Sequence, residues 1–323
     1  MTITKIKFWI ATVTAMASFS VFAQQFPNKT VRLVVPVAPG GILDQVSRIV
    51  AGPMSTELGQ PVIVENRAGG SGNIGATAVA RSAPDGYNVL VGYSMFHVGN
   101  PALFTTIEWD PIRDFKSVAL LVVSPHIIAV HPSVPVNSLK ELVDYAKANP
   151  GKLNYSSPGT GSVPHVGMEL FKQSATVDIV HVPYRGAGPG VKDTAAGVVQ
   201  MTVATPPSLK AFIDGGMLKP LAIAAPQRNP AFPNVPTTAE AGFPGFELEA
   251  WVAFFVPKQT PDGVAERLSK ATQTALKDPK AEAALNTLGL EIRYLPPKDL
   301  DALVEKDIAY WQPVIRNAKI RID

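Results

Sequence analysis

The chain has 323 residues, 46% of them hydrophobic and 17% charged, with a formal net charge of +3 and no cysteine. Without cysteine there are no thiol nucleophiles, thiolate metal sites or disulfides, so the fold holds by burial alone. The small net charge, with no basic run, argues against a nucleic acid partner. The 30 prolines and 25 glycines fall between periodic segments, which predicts many short elements joined by tight turns.

In chain order, Lys5 and Lys7 precede an apolar run over residues 8–22 that ends in Val21-Phe22-Ala23. This is the pattern of a signal peptide, residues 1–23, cleaved after Ala23 for export to the periplasm. The run contains Thr12, Thr14, Ser18 and Ser20 and falls short of the ~20 apolar residues a membrane span needs. Loss of the two lysines lowers the formal charge from +3 to +1.

Residues 31–35, with the β-branched Val31, Val34 and Val35, predict a buried strand, followed by Pro36, Pro39, Gly40, Gly41 and then Asp44 at the head of an amphipathic helix. That helix ends near Gly59, and Pro53 is expected to kink its last turn. Strands over 61–65 and 87–93 flank a helix over 74–81. A second set begins with apolar runs over 118–123 and 127–130, then a helix over 139–148 with Ser138 as its N-cap. A strand over 153–156 leads into the loop SSPGTGSVPH, residues 156–165, and a helix from about Val166. Strands follow at 177–182, 198–204, 218–224 and 251–256, then a helix capped by Thr260 and started by Pro261, and helices over 279–288 and 300–311. This alternation predicts an α/β chain of two mixed-sheet domains joined by two crossings, near residues 124–131 and 246–251. The domains divide as residues 24–125, 126–248 and a return segment, 249–323, to the first. A ligand between such lobes is the functional expectation.

Several sharper motifs fail on their surroundings. Gly70-Ser71-Gly72-Asn73-Ile74-Gly75 matches a dinucleotide fingerprint, but no carboxylate follows about 20 residues on. It reads instead as a tight turn tied down by Asn66 and Arg67, with Asn73 helping to cap its helix. The histidines 97, 126, 131, 165 and 181 show no metal-binding spacing, so no metal or cofactor is expected, and His126 and His131 are placed at turns. Ser162 and His165 share a loop without a nucleophile elbow or an orienting acid, which leaves an exported serine hydrolase as the weaker alternative. What remains is a set of neutral donors suited to holding a carboxylate: Ser94, Ser156, Ser157, Thr160, Ser162 and Thr205, with backbone N–H groups at Gly40, Gly41, Gly159 and Gly161. Arg185 and His97 are further candidate contacts, and Tyr93, Phe96, Tyr184 and Trp251 are candidates for setting pocket width.

The segments PVAPGGILD, ENRAGGSGNIGA, APDGY, DFKSVALL, KLNYSSPGTGSVPHVGMELFK, DIVHVPYRGAGPGVKD and NVPTTAEAGFPGFE, with the terminal Trp311 segment, resemble the Bug family. These are periplasmic solute-binding proteins of tripartite tricarboxylate transporters, and the likeness runs through the whole mature chain. The resemblance implies a bilobed type II periplasmic binding protein, monomeric, that captures a small organic carboxylate and delivers it to integral membrane transporter subunits. It places one ligand loop at Pro39, Gly40, Gly41 and Asp44, and the other at Ser156, Ser157, Gly159, Thr160, Gly161 and Ser162, followed by His165. Ser94 and His97 fall where relatives often read S-x-x-H. Asp44 would repel an anion, so capping its own helix or holding a bridging water is the role its charge favours. Where relatives often carry Asp-Asn, this chain has Ala204-Thr205, which disfavours an amino acid ligand. A sensor for a two-component system fits the same sequence.

Overall fold

The computed structural model describes residues 26–184 and 186–322; the signal peptide, its cleavage site and Arg185 lie outside the described residues. The chain builds two mixed sheets. The six-stranded sheet contains β1 (Val31–Val35), β2 (Val62–Asn66), β3 (Asn88–Tyr93), β4 (Phe115–Pro125), β10 (Glu249–Pro257) and β11 (Glu291–Leu295), in the order β11-β4-β10-β3-β1-β2. The five-stranded sheet contains β5 (Ile127–Val130), β6 (Asn154–Ser157), β7 (Val180–Pro183), β8 (Met201–Ala204) and β9 (Lys219–Ile223), in the order β7-β6-β8-β5-β9. In each sheet the strands that feed the glycine loops run parallel to their neighbours, β1 beside β2 and β3, β6 beside β7 and β8. The strands at the crossings run antiparallel.

Local chemistry explains the elements. Helix α1 (Ile42–Leu58) buries Val46, Val50 and Met54 and stops at Gly59, whose φ of +67° only glycine adopts without strain. It runs unbroken through Pro53. Helix α2 is Asn73–Ala80 and α3 is Asn100–Leu103. Helix α4 (Leu139–Ala148) starts at Ser138, whose hydroxyl accepts the Glu141 N–H at 3.1 Å, as its sequence predicts. Helix α5 (Val163–Ala175) begins three residues before the expected Val166, because the Ser162 hydroxyl caps it and Pro164 fits its first turn. Helices α6 (Ala187–Ala195) and α7 (Pro206–Asp214) complete the second lobe. In the return segment, α8 (Asp262–Leu276) has Pro261 rather than Thr260 at its N-cap, and the Thr260 hydroxyl is buried without a partner. Helices α9 (Pro279–Thr287) and α10 (Pro297–Asn317) follow, the latter longer at both ends than the 300–311 pattern.

Burial unites the lobes. One apolar cluster packs α1, α8 and α9 on one face of the larger sheet, through Leu33, Met54, Phe254 and Leu268. Another is continuous from the other face, at Leu90, Phe115 and Leu120, through Trp311 and Ile315 of α10 to Tyr155, Val166 and Phe171 of the second lobe. Strand β4 is buried almost throughout, as suits a strand covered on both faces. The chain passes between sheets twice, from Pro125 to Ile127 and from the segment ending at Leu248 to Glu249. These crossings are stitched by His126 N–H to Leu248 O at 3.0 Å, Ala224 N–H to His126 O at 2.8 Å and Leu248 N–H to Ala224 O at 2.9 Å. His126 is therefore a buried residue of the crossing rather than the turn residue its position suggests.

Candidate functional site

A cavity of about 620 Å³ opens between the lobes. Its floor begins where β1 gives way to α1. Gly40 takes a φ of +90°, and its N–H donates to Asp44 Oδ2 at 2.9 Å. Asp44 is buried and also receives Arg48 Nε at 3.0 Å and Asn66 Nδ2 at 3.0 Å. The Arg48 guanidinium holds the Asp44 carboxyl below its usual range, so its charge is spent inside the protein. Asp44 thus buttresses the turn and does not line the cavity, whereas Gly40 and Gly41 do. Pro39 is exposed and also lies off the lining. The first N–H groups of α1, at Ile42 and Leu43, have no carbonyl four residues back and form the positive end of the helix.

The second lobe contributes a matching start. Gly159, Thr160, Gly161 and Ser162 line the cavity. Most of this loop's polar atoms are committed to its own shape. The Ser157 hydroxyl lies 2.6 Å from His181 Nε2 and accepts Gly159 N–H at 3.1 Å, and His165 Nδ1 accepts Gly161 N–H at 3.0 Å. The Ser162 hydroxyl donates to Gly159 O at 2.7 Å and accepts from His165 N–H. The Ser162 and His165 side chains are therefore not a nucleophile and its base: the imidazole faces a backbone amide and stacks on His181 at 3.9 Å. Burial lowers the His165 and His181 pKa values to about 4. Ser156 sits beneath the loop, bonded to Thr194 at 3.1 Å and Thr202 at 2.8 Å. Ser156, Ser157 and His165 are supports, and none of the three lines the cavity.

Two further helix starts close the second-lobe side. Ala187 and Gly188 bring the N-terminus of α6 to the cavity, a contribution the sequence reading missed although Gly186, with a φ of +106°, marks a turn into the helix. Gly186 N–H donates to Pro158 O at 3.0 Å, which ties this start to the Gly159 loop. Thr205, Pro207 and Ser208 bring the start of α7. Its first two residues are Pro206 and Pro207, which have no N–H, and Ser208 N–H is taken by Thr205 O at 3.0 Å.

Side chains from afar complete the walls: Tyr93 and Phe96, in tilted contact at 5.4 Å, with Ser71, Asn100, His126, Leu288, Leu290 and Ile322. Asn100 donates to Ser71 O and Asn73 Oδ1, each at 2.9 Å, and Trp109 Nε1 also donates to Asn73 Oδ1, at 3.2 Å. Asn73 is therefore spent on this network and Gly72 is the N-cap of α2. Asn66 ties down the first loop rather than the Gly70 turn, through Val37 O at 3.1 Å. Among the described residues no Lys, Arg, Asp or Glu lines the cavity, and no cluster of three or more ionisable or sulfur ligands is placed to hold a metal.

Two expected contacts are buried behind these walls. Ser94 and His97 belong to the segment entering a wide π-helical turn, Met95–Gly99. The His97 ring stacks on Phe255 at 3.9 Å and on Trp109 at 5.7 Å, and burial lowers its pKa to about 3. The Ser94 hydroxyl and His97 Nε2 are buried without partners. Tyr184 and Trp251 also lie off the lining, with hydrogen bonds to Asp193 at 2.8 Å and Asp307 at 2.7 Å.

Known proteins of similar sequence and shape bear on this geometry. The family model described as "Tripartite tricarboxylate transporter family receptor" matches residues 46–320. Protein BugT of Bordetella pertussis is 32% identical over 310 residues, covering 96% of this chain and 95% of BugT. Among solved structures, R. palustris Rpa4515 with adipate superposes with a TM-score of 0.81 at 34% identity, covering 92% of this chain and 100% of that one. MatC from Rhodopseudomonas palustris with bound malate gives 0.78 at 34% identity, covering 90% of this chain and 100% of its own. With sequence likeness along nearly its full length and a shared periplasmic binding protein fold, the chain belongs to the Bug family of tripartite tricarboxylate transporter receptors.

Proposed function

We propose that this protein captures a small organic carboxylate between its lobes in the periplasm and delivers it to the integral membrane subunits of a tripartite transporter. The observation that carries this reading is the meeting of α1 from one lobe with α5 and α6 from the other on a cavity that, among the described residues, no charged side chain lines. A carboxylate there exchanges water for backbone N–H donors and positive helix ends, and keeps its charge. The ligands named in two similar structures, adipate and malate, belong to the same class. The lobes are residues 24–125 with 249–323, and residues 126–248; the leader of residues 1–23 is removed on export, and the mature protein acts as a monomer. Ligand enters the open form, the starts of α1, α5 and α6 receive its carboxylate while the Gly40, Gly159 and Gly161 N–H groups hold the loops in shape, and the lobes hinge together at the His126 and Leu248 crossings.

Ala204 and Thr205 offer no carboxylate to an ammonium group, so amino acids are poorer ligands than plain acids. A thermal-shift screen of the mature protein against dicarboxylates, tricarboxylates, aromatic acids and amino acids tests this. A ligand at ~100 times its dissociation constant adds about 2.7 kcal/mol of stability. Stabilisation by at least one plain acid is expected, and stabilisation by amino acids alone counts against the reading.

A further inference from the structure

Among the described residues one imidazole, that of His126, borders the cavity. His126 occupies the crossing between β4 and β5, 2% exposed, with its backbone N–H and C=O both used in the stitching between lobes. Its Nδ1 lies 2.9 Å from Leu248 O. A carbonyl oxygen only accepts, so Nδ1 carries the ring proton and Nε2 presents a lone pair. Among the described residues nothing donates to Nε2, yet the ring borders the cavity. Burial lowers the His126 pKa to about 4, which keeps the ring neutral at neutral pH.

The other polar groups on the lining have different characters. Gln45 Nε2 is spent on Gly40 O at 2.8 Å, Asn100 Nδ2 on Ser71 O and Asn73 Oδ1, and the Thr205 and Ser208 hydroxyls on each other at 3.3 Å. The helix starts offer donors, whereas His126 Nε2 and the buried, unpartnered Asn100 Oδ1 offer acceptors, of which only His126 belongs to a crossing between the lobes. A carboxylate oxygen pressed on that lone pair is repelled, an apolar ligand leaves it dry and unpaired, and an O–H satisfies it.

We propose that His126 Nε2 is a specificity-determining acceptor that selects carboxylates bearing a hydroxyl group over their deoxy counterparts. This rests on the carboxylate reading of the cavity and narrows it: the helix starts of α1, α5 and α6 take the carboxylate, and His126 takes the hydroxyl hydrogen. Because the same imidazole is pinned to Leu248 O at the crossing, a ligand that bonds it touches both the cavity and the hinge.

The test is isothermal calorimetry at pH 7.5 on the mature protein, with two matched series: benzoate against 2-, 3- and 4-hydroxybenzoate, and succinate against malate. At least one hydroxylated acid is expected to bind about tenfold tighter than its deoxy partner, the worth of one neutral hydrogen bond. In His126→Asn, whose Nδ2 can take the place of Nδ1 at Leu248 O and whose one acceptor, Oδ1, stops short of the position of Nε2, the ratio within that pair collapses toward one. Equal binding of the wild type to every pair overturns the proposal and leaves the carboxylate reading standing, as does a ratio that survives in a folded His126→Asn protein. If no acid of either series binds the wild type, both readings fall together. The wild-type pairs decide without the variant, whose fold is checked by circular dichroism.

Discussion

Histidine 97 illustrates how a residue's chemistry follows from its surroundings rather than from its type. Stacked between Phe255 and Trp109, it loses the hydration that would support a charge, and its pKa falls to about 3. The unfolded chain binds a proton there near pH 6.5 and the folded chain does not. The resulting contribution to stability is complete above pH 6.5 and is lost as pH falls from 6.5 toward 3. His97→Phe is therefore expected to flatten the fall in stability between pH 6.5 and 4.5 by up to about 1.4 kcal/mol per pH unit, measured by urea unfolding at several pH values. A slope unchanged from wild type refutes it. Nothing near position 97 in the sequence distinguishes a ligand contact from a core imidazole. The deciding neighbours, Trp109 and Phe255, arrive from other elements, and Phe255 from a strand more than 150 residues away. For Asp44 the expected roles were a helix cap or a water-bridged ligand contact; the N-cap is Gly41, and the carboxylate is taken by Gly40 N–H, Arg48 and Asn66, although Arg48, four residues on, is a partner that the spacing offers.

At the scale of elements, the glycine-bearing turns were readable because their conformations demand glycine. Gly40 at +90°, Gly159 at +140° and Gly161 at +77° lie where other residues are strained. Gly41 differs: its φ is −76°, and a Cβ placed there meets nothing nearer than 3.8 Å. The backbone therefore tolerates a side chain at 41, and what a large one would occupy is the cavity it lines. Gly41→Leu is expected to keep the wild-type circular dichroism spectrum and melt within a few degrees of wild type, while losing the thermal shift given by any acid that stabilises the wild type. Retention of that shift shows that position 41 does not face the ligand. The start of α6 was not legible in the sequence because the contribution of Ala187 and Gly188 is made by backbone, which side-chain type does not advertise.

For the whole molecule, the two-sheet architecture was legible from the alternation of strand and helix, whereas the meeting of distant segments in the cavity was not. Ile322 lies 161 positions beyond Gly161, yet a Cβ on Gly161 would stand 2.5 Å from Ile322 Cδ1 and 3.0 Å from Leu103 Cδ1. Ile322 N–H donates to Leu103 O at 3.1 Å, so the tail is fastened to the first lobe and faces the second. Gly161→Val, with both a strained φ and this clash, is expected to hold the lobes apart. Small-angle scattering of the variant should then show no contraction on adding a stabilising acid, where the wild type contracts. Equal contraction in both proteins would show that the approach of the Gly161 loop to Ile322 is not needed for closure.

The helix starts that surround the cavity are not equivalent: α1 and α6 open with successive amide hydrogens, α5 with that of Val163 ahead of Pro164, and α7 with Pro206 and Pro207, which have none. Three sides of the site present amide hydrogens from their first residues, and the fourth presents two proline rings. For the carboxylate of the proposed function this means sorting by orientation as well as by charge: its anionic head would point to the helix starts that carry amide hydrogens, and its other end would rest against proline rings and leucine, where one ligand can differ from the next.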